Sequence, residues 1–149
     1  MKLALGFDHA GVKLKSALIE FLDANGYEYK DFGTYTEDSC NYAEYGAAVA
    51  EAVASGKYDK GILICGTGIG MSIVANKVPG IRCAHCQDVF SAKATRQHND
   101  SNVLAFGERV VAKELAIEIV KTFLETEFEG GRHVARIAKI TEIERKYSK

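Results

Sequence analysis

The sequence has no long apolar run, no block of one charge and no low-complexity linker. No uncharged apolar stretch approaches the roughly 20 residues of a transmembrane helix, and the apolar run at the N-terminus is too short for a signal peptide. The net charge is −1 without a run of lysines and arginines, which argues against nucleic acid or a membrane surface as partner. Neither a Pro/Gly/Ser-rich segment nor a repeat divides the 149 residues. We therefore predict a cytoplasmic protein with a single domain over residues 1–149.

Cysteine is also sparse, and its spacing does not predict a metal site. In the cytoplasm, the thiols at positions 40, 65, 83 and 86 are expected to stay free rather than to form disulfides. The run Cys83-Ala-His-Cys86 invites a redox or metal interpretation. However, residues three apart on a strand point to opposite faces, and no second Cys/His pair completes a zinc ligand set. We therefore expect no metal there.

The chain does contain a regular alternation of strand-like and helix-like patterns. Apolar runs predict five strands, at Leu3–Phe7, Tyr27–Gly33, the run that ends at Cys65, Ile81–Cys86 and Val103–Phe106. Helical patterns follow at Leu14 to Leu22, Ala43–Ser55, the residues after the Cys65 loop, Asp88–Gln97, Leu115 to Phe123, and Arg132 to Lys146. Such alternation predicts an α/β fold with a five-stranded parallel sheet covered on both faces and an additional C-terminal helix.

A thiol and a glycine loop follow the third predicted strand. The apolar run Ile62–Ile64 leads to Cys65, and glycines occupy positions 66, 68 and 70 at the start of a helix. Such glycines let several backbone N–H groups point at one small volume, which holds an anion and favours a thiolate. A base beside an oxyanion site suits proton abstraction next to a carbonyl, where a carbanion must be held as an enediolate.

Two other interpretations of this loop are compatible with the residues. Cys65 could be a small buried hydrophobic residue whose neighbouring glycines merely permit a tight turn. Glycine-rich turns also bind nucleotides, and Asp88 lies at a suitable distance for a ribose contact. The spacing is G-x-G-x-G rather than G-x-G-x-x-G, and Thr67 stands where a P-loop needs a Lys-Ser/Thr pair. A nucleotide- or metabolite-binding module is therefore the alternative from a different functional class.

Further candidates follow from the rule that open parallel sheets bind ligands beyond the carboxyl ends of their strands. Asp8 and His9 come directly after the first strand and pair an acid with a potential cation or proton donor. Arg132 and Arg136 share one helix face by their i, i+4 spacing, with Arg109 as a further contributor. Such a face suits a phosphate dianion, although a solvated cationic stripe would show the same spacing.

His98 and Asn99 precede the fifth strand, and therefore lie at its amino end. This edge is the wrong one for a site that a single subunit completes. Either the preceding helix is short and the loop bends back, or a partner subunit supplies these residues. We favour the partner subunit.

Several ordered blocks resemble the type B ribose-5-phosphate isomerases, a family that also contains galactose-6-phosphate isomerase subunits. The blocks cover nearly the whole chain: Gly6-Phe7-Asp8-His9-Ala10-Gly11, Asp31-Phe32-Gly33-Thr34, Cys65-Gly-Thr-Gly-Ile-Gly70, Ala75-Asn76-Lys77, Gly80-Ile81-Arg82, Arg96-Gln-His-Asn-Asp-Ser-Asn-Val-Leu-Ala-Phe-Gly107 and Glu129-Gly-Gly-Arg-His133. This family has a cysteine version and a version with glutamate directly after the glycine loop. Because Met71 occupies that second position, the chain resembles the cysteine version.

The resemblance implies a Rossmann-like three-layer α/β/α fold and an isomerisation between ribose 5-phosphate and ribulose 5-phosphate, without metal or nucleotide cofactor. It implies that Cys65 transfers the proton and that His98, with Thr67, opens the sugar ring. The remaining implied roles are enediolate binding by Gly66, Gly68, Ile69 and Gly70, hydroxyl positioning by Asp8 and Asn99, phosphate binding by His9, Arg109, Arg132 and Arg136, and a pocket wall at Tyr42.

The resemblance further implies a homodimer with shared active sites, with a higher oligomer left open. We assign His98, Asn99 and Arg109 to one subunit, and Cys65 with Arg132 and Arg136 to the other. Six-carbon substrates such as allose 6-phosphate or galactose 6-phosphate are the alternative within the family, since a modest pocket change accommodates one more hydroxymethylene group.

Overall fold

The computed structural model describes residues 1–149, which form five strands and six helices. The strands are β1 (Lys2–Phe7), β2 (Glu28–Asp31), β3 (Lys60–Cys65), β4 (Cys83–His85) and β5 (Val103–Gly107). The helices are α1 (Val12–Ala24), α2 (Tyr42–Ala54), α3 (Ile69–Ala75), α4 (Val89–Ala94), α5 (Lys113–Glu125) and α6 (His133–Tyr147). A π-helical turn, Thr95–Asn99, continues α4.

The five strands form one sheet in the order β2-β1-β3-β5-β4, and every neighbouring pair is parallel. The predicted parallel sheet is therefore confirmed. β3 lies at its centre, and the register pairs Cys65 with Gly107 at the carboxyl edge and Gly61 with Val103 near the amino edge. The loops after β1, β3 and β5 thus meet at one end of the sheet.

Helices cover both faces of the sheet and produce two apolar cores. Leu3, Leu5 and Phe7 of β1 pack with α1, α4 and α5, whereas the alternate residue Ala4 packs with α2 and α3. The same alternation along β3 directs the side chain of Cys65 towards the α2 and α3 layer. These layers confirm the Rossmann-like three-layer arrangement.

Three predicted elements are shorter in the structure: the strand predicted over 81–86 is reduced to β4, and a local conformation ends the other two. The chain continues along β1 after Asp31, but Gly33, with a φ of 95°, interrupts the regular pleat. The helix predicted over 88–97 is α-helical only to Ala94 and then widens into the π-helical turn. Inside this turn the buried Arg96 donates hydrogen bonds to Asp100 (2.8 Å) and to the carbonyl of Ser101 (2.7 Å).

The C-terminal helix α6 lies outside the two apolar cores. His133 is its only buried residue, and Glu144 accepts a hydrogen bond from the backbone N–H of Gly80 (3.1 Å). The additional helix is therefore present as predicted, beginning at His133 instead of Arg132. Of all the helices in the protein, none combines the length and apolar character that crossing a bilayer requires.

Candidate active site

The glycine loop folds around the thiol of Cys65. Cys65 ends β3 with 5% of its surface exposed, and its Sγ accepts a hydrogen bond from the backbone N–H of Gly68 at 3.0 Å. Thr67 Oγ1 accepts from the N–H of Ile69 (3.2 Å), which leaves the hydroxyl proton of Thr67 free to be donated elsewhere. The loop thus brings the thiol of Cys65, the hydroxyl of Thr67 and two backbone N–H groups close together.

Two glycines of the loop lie so close to neighbouring atoms that a Cβ atom at either position would overlap with them. Gly68 has a φ of 83°, and a Cβ atom there would lie 2.6 Å from the backbone of Phe106 in β5. At Gly70, a Cβ atom would lie 2.6 Å from the ring of Tyr42, so Tyr42 covers the end of the loop. A side chain at Gly68 would therefore displace the N–H group that binds the thiol.

We expect Gly68→Ala to lower the free energy of unfolding by at least about 3 kcal/mol, through a strained backbone and overlap with Phe106. Urea denaturation measures this change. Gly56 provides the matched control, because its φ is 82° and no atom lies within 4 Å of the position of its Cβ. Gly56→Ala should cost only about 1 kcal/mol, from the left-handed backbone alone. Equal costs at the two positions would contradict a close approach of the loop to β5.

Asp8 and Arg109 lie next to the same loop. The backbone N–H of Asp8 donates to the carbonyl of Ile64 (3.2 Å), directly before Cys65, and the Asp8 carboxylate accepts from the N–H of Ala10 (2.8 Å). Arg109 N donates to the carbonyl of Gly66 (3.1 Å), and the guanidinium packs beside that glycine. Asp8 and Arg109 are therefore neighbours of Cys65 within one chain, whereas the sequence-based prediction assigned Arg109 to the other subunit.

His9 lies next to the thiol of Cys40, a contact that the sequence did not predict. The N–H of Cys40 donates to His9 Nδ1 (3.3 Å), and Cys40 Sγ lies 3.7 Å from the same nitrogen. A neutral His9 that accepts at Nδ1 carries its proton on Nε2, which can donate to a ligand.

Glu108 links the loop after β5 to the loop after β1, and sequence reasoning missed it. Its carboxylate accepts a hydrogen bond from the N–H of Leu14 in the first turn of α1 (2.5 Å). Burial raises the pKa of Glu108, which the hydrogen bond from Leu14 partly opposes. The contact thus ties the residue next to Arg109 to the first turn of α1. Its position at a strand's carboxyl end was the available signal.

A second group of predicted residues lines a separate cavity of about 340 Å³. His98, Asn99, Arg132 and Arg136 all lie on its wall. The His98 ring stacks on the buried His133 with 4.6 Å between ring centroids, and His133 Nε2 lies 3.6 Å from the Glu129 carboxylate. The sequence analysis assigned no role to His133. Its one signal in the sequence is its place in the last block that resembles the family, Glu129-Gly-Gly-Arg-His133.

The two groups lie apart within one chain. The π-helical turn that carries His98 leads into Asn102, whose carbonyl accepts from the N–H of Gly61 near the amino edge of the sheet (2.9 Å). Cys65 is at the carboxyl edge, and no hydrogen bond or ion pair joins its loop to the His98 cavity. One chain therefore contains two separate groups of candidate residues, which we call the Cys65 half-site, with Asp8 and Arg109, and the His98 half-site.

The predicted division of the arginines between subunits was wrong. Arg132 and Arg136 share the cavity of His98, whereas Arg109 lies beside Gly66 in the Cys65 half-site. The physical reason is that α6 begins against the π-helical turn, where the N–H of Glu129 donates to the carbonyl of Gln97 (3.2 Å). None of the three arginines forms an ion pair with an acidic side chain. Their charges are therefore available to an anionic ligand.

One cluster has the residue types of a metal site. Ligand atoms of His98, Glu129 and His133 all lie within 4.8 Å of one another. The guanidinium groups of Arg132 and Arg136 line the same cavity, and their positive charge opposes a bound cation. The electrostatics of this cavity therefore suit an anion better than a metal ion.

Cys83, Cys86 and Asp88 are the residues that suggested a metal or nucleotide site, and local structure accounts for each of them. Cys83 and Cys86 pack against opposite faces of the sheet, as predicted, and burial raises the pKa of Cys83 to about 12 and of Cys86 to about 11. Asp88 accepts a hydrogen bond from the N–H of Ser91 (2.6 Å) and so caps α4. Both features are explained by local structure.

The sequence model of the ribose/galactose isomerase family matches residues 3–140. The chain belongs to this family. It is 50% identical to ribose-5-phosphate isomerase B of Escherichia coli over 145 residues, which are 97% of each chain. It is 42% identical to D-erythrulose-4-phosphate isomerase of Pectobacterium atrosepticum over 141 residues, covering 94% of this chain and 93% of that protein.

A solved structure shares the complete architecture of this member of the ribose/galactose isomerase family. Ribose-5-phosphate isomerase B of Clostridium thermocellum superimposes with a TM-score of 0.97 at 55% identity, over 99% of this chain and 100% of the other. The comparison confirms the α/β fold and the family that the sequence blocks predict. The roles of individual side chains rest on the geometry described above.

Proposed function

We propose that this protein interconverts ribose 5-phosphate and ribulose 5-phosphate through a cis-enediolate. The observation that carries the proposal is the hydrogen bond from Gly68 N–H to Cys65 Sγ inside a glycine loop, beside Asp8 and Arg109. The relatives named as ribose-5-phosphate isomerases support this choice of substrate.

The Cys65 half-site supplies the groups for proton transfer. The Cys65 thiolate takes the proton from C2 of the open-chain aldose and returns a proton to C1, while the proton of the C2 hydroxyl passes to the C1 oxygen, so that the carbonyl moves from C1 to C2. Backbone N–H groups from Gly66 to Gly70 hold the negative oxygens of the intermediate, where an aimed donor is most effective. Asp8 positions a sugar hydroxyl beside the thiolate.

The remaining groups bind the phosphate, position a hydroxyl and open the furanose ring. His9 and the unpaired Arg109, Arg132 and Arg136 hold the phosphate, and the binding energy orients the reacting carbons. Asn99 positions a second hydroxyl, and Tyr42 forms part of the pocket wall. His98 exchanges a proton with the ring oxygen, assisted by the free hydroxyl proton of Thr67.

We also propose that two chains form a homodimer in which the His98 half-site of one subunit completes the Cys65 half-site of the other. Exposed apolar side chains next to both half-sites support this arrangement. Tyr42, Ile69 and Ile73 flank the Cys65 loop with 43%, 50% and 56% of their surface exposed. Val134 and Ile140 of α6, 55% and 45% exposed, flank the His98 cavity. Burying such patches against a second copy removes apolar area from water.

The proposal also includes the cellular location of the protein and its domain organisation. The absence of any disulfide among four cysteines is consistent with a reducing compartment, and we place the enzyme in the cytoplasm. The shared fold supports one isomerase domain over residues 1–149.

Isomerisation in D₂O tests the reaction and its intermediate. Purified protein incubated with ribose 5-phosphate should form ribulose 5-phosphate with deuterium at C1, and ribose 5-phosphate re-formed from it should carry deuterium at C2. The reason is that a proton held on Cys65 exchanges with solvent, whereas a hydride shift between carbons does not. Proton NMR follows both positions. Product formation without any deuterium after many turnovers would contradict the enediolate.

The substrate panel should separate the alternatives. Allose 6-phosphate, galactose 6-phosphate and D-erythrulose 4-phosphate, assayed at equal concentration, test other sugar phosphates. Calorimetric titration with ATP and NAD tests a nucleotide-binding module. A higher kcat/KM for a six-carbon substrate, or nucleotide binding without isomerisation, would overturn the assignment to ribose 5-phosphate.

A further inference from the structure

The peptide group between Thr67 and Gly68 is held at both of its polar ends. Its N–H is the donor to Cys65 Sγ (3.0 Å), and its carbonyl oxygen lies 2.7 Å from Nε2 of His85. Because a carbonyl oxygen only accepts, His85 Nε2 carries the proton and donates it. In a planar trans peptide the C=O and N–H point in opposite directions. Fixing the carbonyl of Thr67 therefore also fixes the direction of the N–H that reaches the thiol.

His85 is itself firmly placed. It is the last residue of β4, paired with Ala105 of β5, and the next N–H along the chain donates to the carbonyl of Ala105 (3.0 Å). Its ring also packs against the loop, since a Cβ atom on Gly68 would lie 2.9 Å from His85 Cδ2 and 2.6 Å from Phe106. The Thr67-Gly68 peptide is thus confined between β5 and the imidazole.

We propose that His85 is a positioning residue for the thiolate of Cys65, acting through the Thr67-Gly68 peptide. Hydrogen bonds in a chain polarise one another, so donation to the Thr67 carbonyl makes the Gly68 N–H a stronger donor. A hydrogen bond to a charged group favours the charged form. The His85 side chain therefore increases the fraction of Cys65 present as thiolate, without touching the substrate. As a contribution to catalysis, this inference depends on the proposed role of Cys65 as base.

Alkylation of Cys65 tests the inference without any sugar phosphate. The rate of carbamidomethylation by iodoacetamide is measured from pH 5 to 10, and peptide mass spectrometry resolves each cysteine. We expect His85→Leu to reduce the Cys65 rate at pH 7 about fivefold and to move the midpoint of its pH profile upwards, as the loss of one hydrogen bond predicts. His85→Gln, which retains an N–H donor, should stay within about twofold of the unmodified protein.

Two controls distinguish the loss of the hydrogen bond from His85 from a general loosening of the fold. Cys40 contacts His9 and not His85, so its alkylation in the same sample should be unchanged. Gln87→Leu removes an exposed amide whose Nε2 lies 3.5 Å from His85 Nε2, a much longer contact than the 2.7 Å from that nitrogen to the Thr67 carbonyl, and should leave the Cys65 profile unaltered. If His85→Leu fails to fold, His85→Phe keeps an aromatic ring at the position and lacks the donor.

The kinetic readout distinguishes this inference from the proposed reaction. In an active enzyme, His85→Leu should lower kcat and leave KM nearly unchanged, because substrate contacts are intact. An unchanged Cys65 profile in folded His85→Leu, or an equal slowing of Cys40, would overturn the positioning role even if isomerisation is confirmed. If the unmodified protein has no isomerase activity but His85→Leu still shifts the pH profile of Cys65 alkylation, the positioning role is supported and the proposed function is refuted.

Discussion

Cys65→Ala should lower kcat for ribose 5-phosphate by about a thousandfold or more, because it removes the group that transfers the proton. At the carboxyl edge of the sheet, Cys65 Sγ accepts a hydrogen bond from the backbone N–H of Gly68. The proposed phosphate ligands His9 and Arg109 are untouched, so binding of the sugar phosphate should persist in calorimetric titration. Initial rates in both directions and the heat of binding measure the two effects separately.

Cys83→Ala is the matched control for this variant. Cys83 is another free cysteine of the same sheet, but burial raises its pKa to about 12 and it lies outside both half-sites. Its replacement should therefore leave kcat within about twofold of the unmodified enzyme. A folded Cys65→Ala protein with near-normal turnover would exclude Cys65 as the base and favour a different group in the loop.

Mixing two inactive variants should restore activity when their changes lie in different half-sites. In a symmetric dimer, Cys65→Ala mixed with Arg136→Ala forms heterodimers with one site that carries both changes and one intact site. Random exchange at equal concentrations should recover about a quarter of the unmodified activity, since half of the dimers are heterodimers with one working site of two. The same recovery is expected for Cys65→Ala with His98→Asn. Activity assays during exchange, with heterodimers quantified by native mass spectrometry, measure it.

Cys65→Ala mixed with Asp8→Asn provides the control. Both residues belong to the Cys65 half-site, so each site of that heterodimer carries one change and no activity should return. Recovery with His98→Asn but not with Arg136→Ala would place Arg136 in the same site as Cys65 of its own chain and contradict the grouping in the structure. No recovery in any mixture, despite demonstrated exchange, would refute the shared site.

The sheet and the Cys65 loop were predictable because local patterns determine them. Buried parallel strands such as β1, β3 and β5 are short apolar runs, and each is followed by a helix that must pack back on the sheet. The glycines after Cys65 signal a tight strand-to-helix turn in the sequence itself. Residues that directly follow these strands, such as Asp8, therefore came together at one edge as the topology requires.

The grouping of the arginines and the role of His85 were not predictable in this way. Arg132 and Arg136 take their position from the packing of α6 against the π-helical turn, which their i, i+4 spacing does not determine. His85 acts by a side-chain contact to a backbone carbonyl in another loop, a contact without any local pattern. The binding-edge rule, applied to the end of β4, would have selected His85 as a candidate.

The orientation of the His98 side chain depends on the one extra residue that the π-helical turn contains. A π-helical turn contains one residue more than an α-helical turn needs, and an α-helix rotates by about 100° for each residue. Deleting one residue between Thr95 and Asn99 would therefore let α4 continue as a regular helix and swing His98 away from its stacking partner His133. The direction of the proposed ring-opening imidazole therefore depends on the number of residues in this turn, and a one-codon deletion there is expected to inactivate the half-site although its side chains are still encoded.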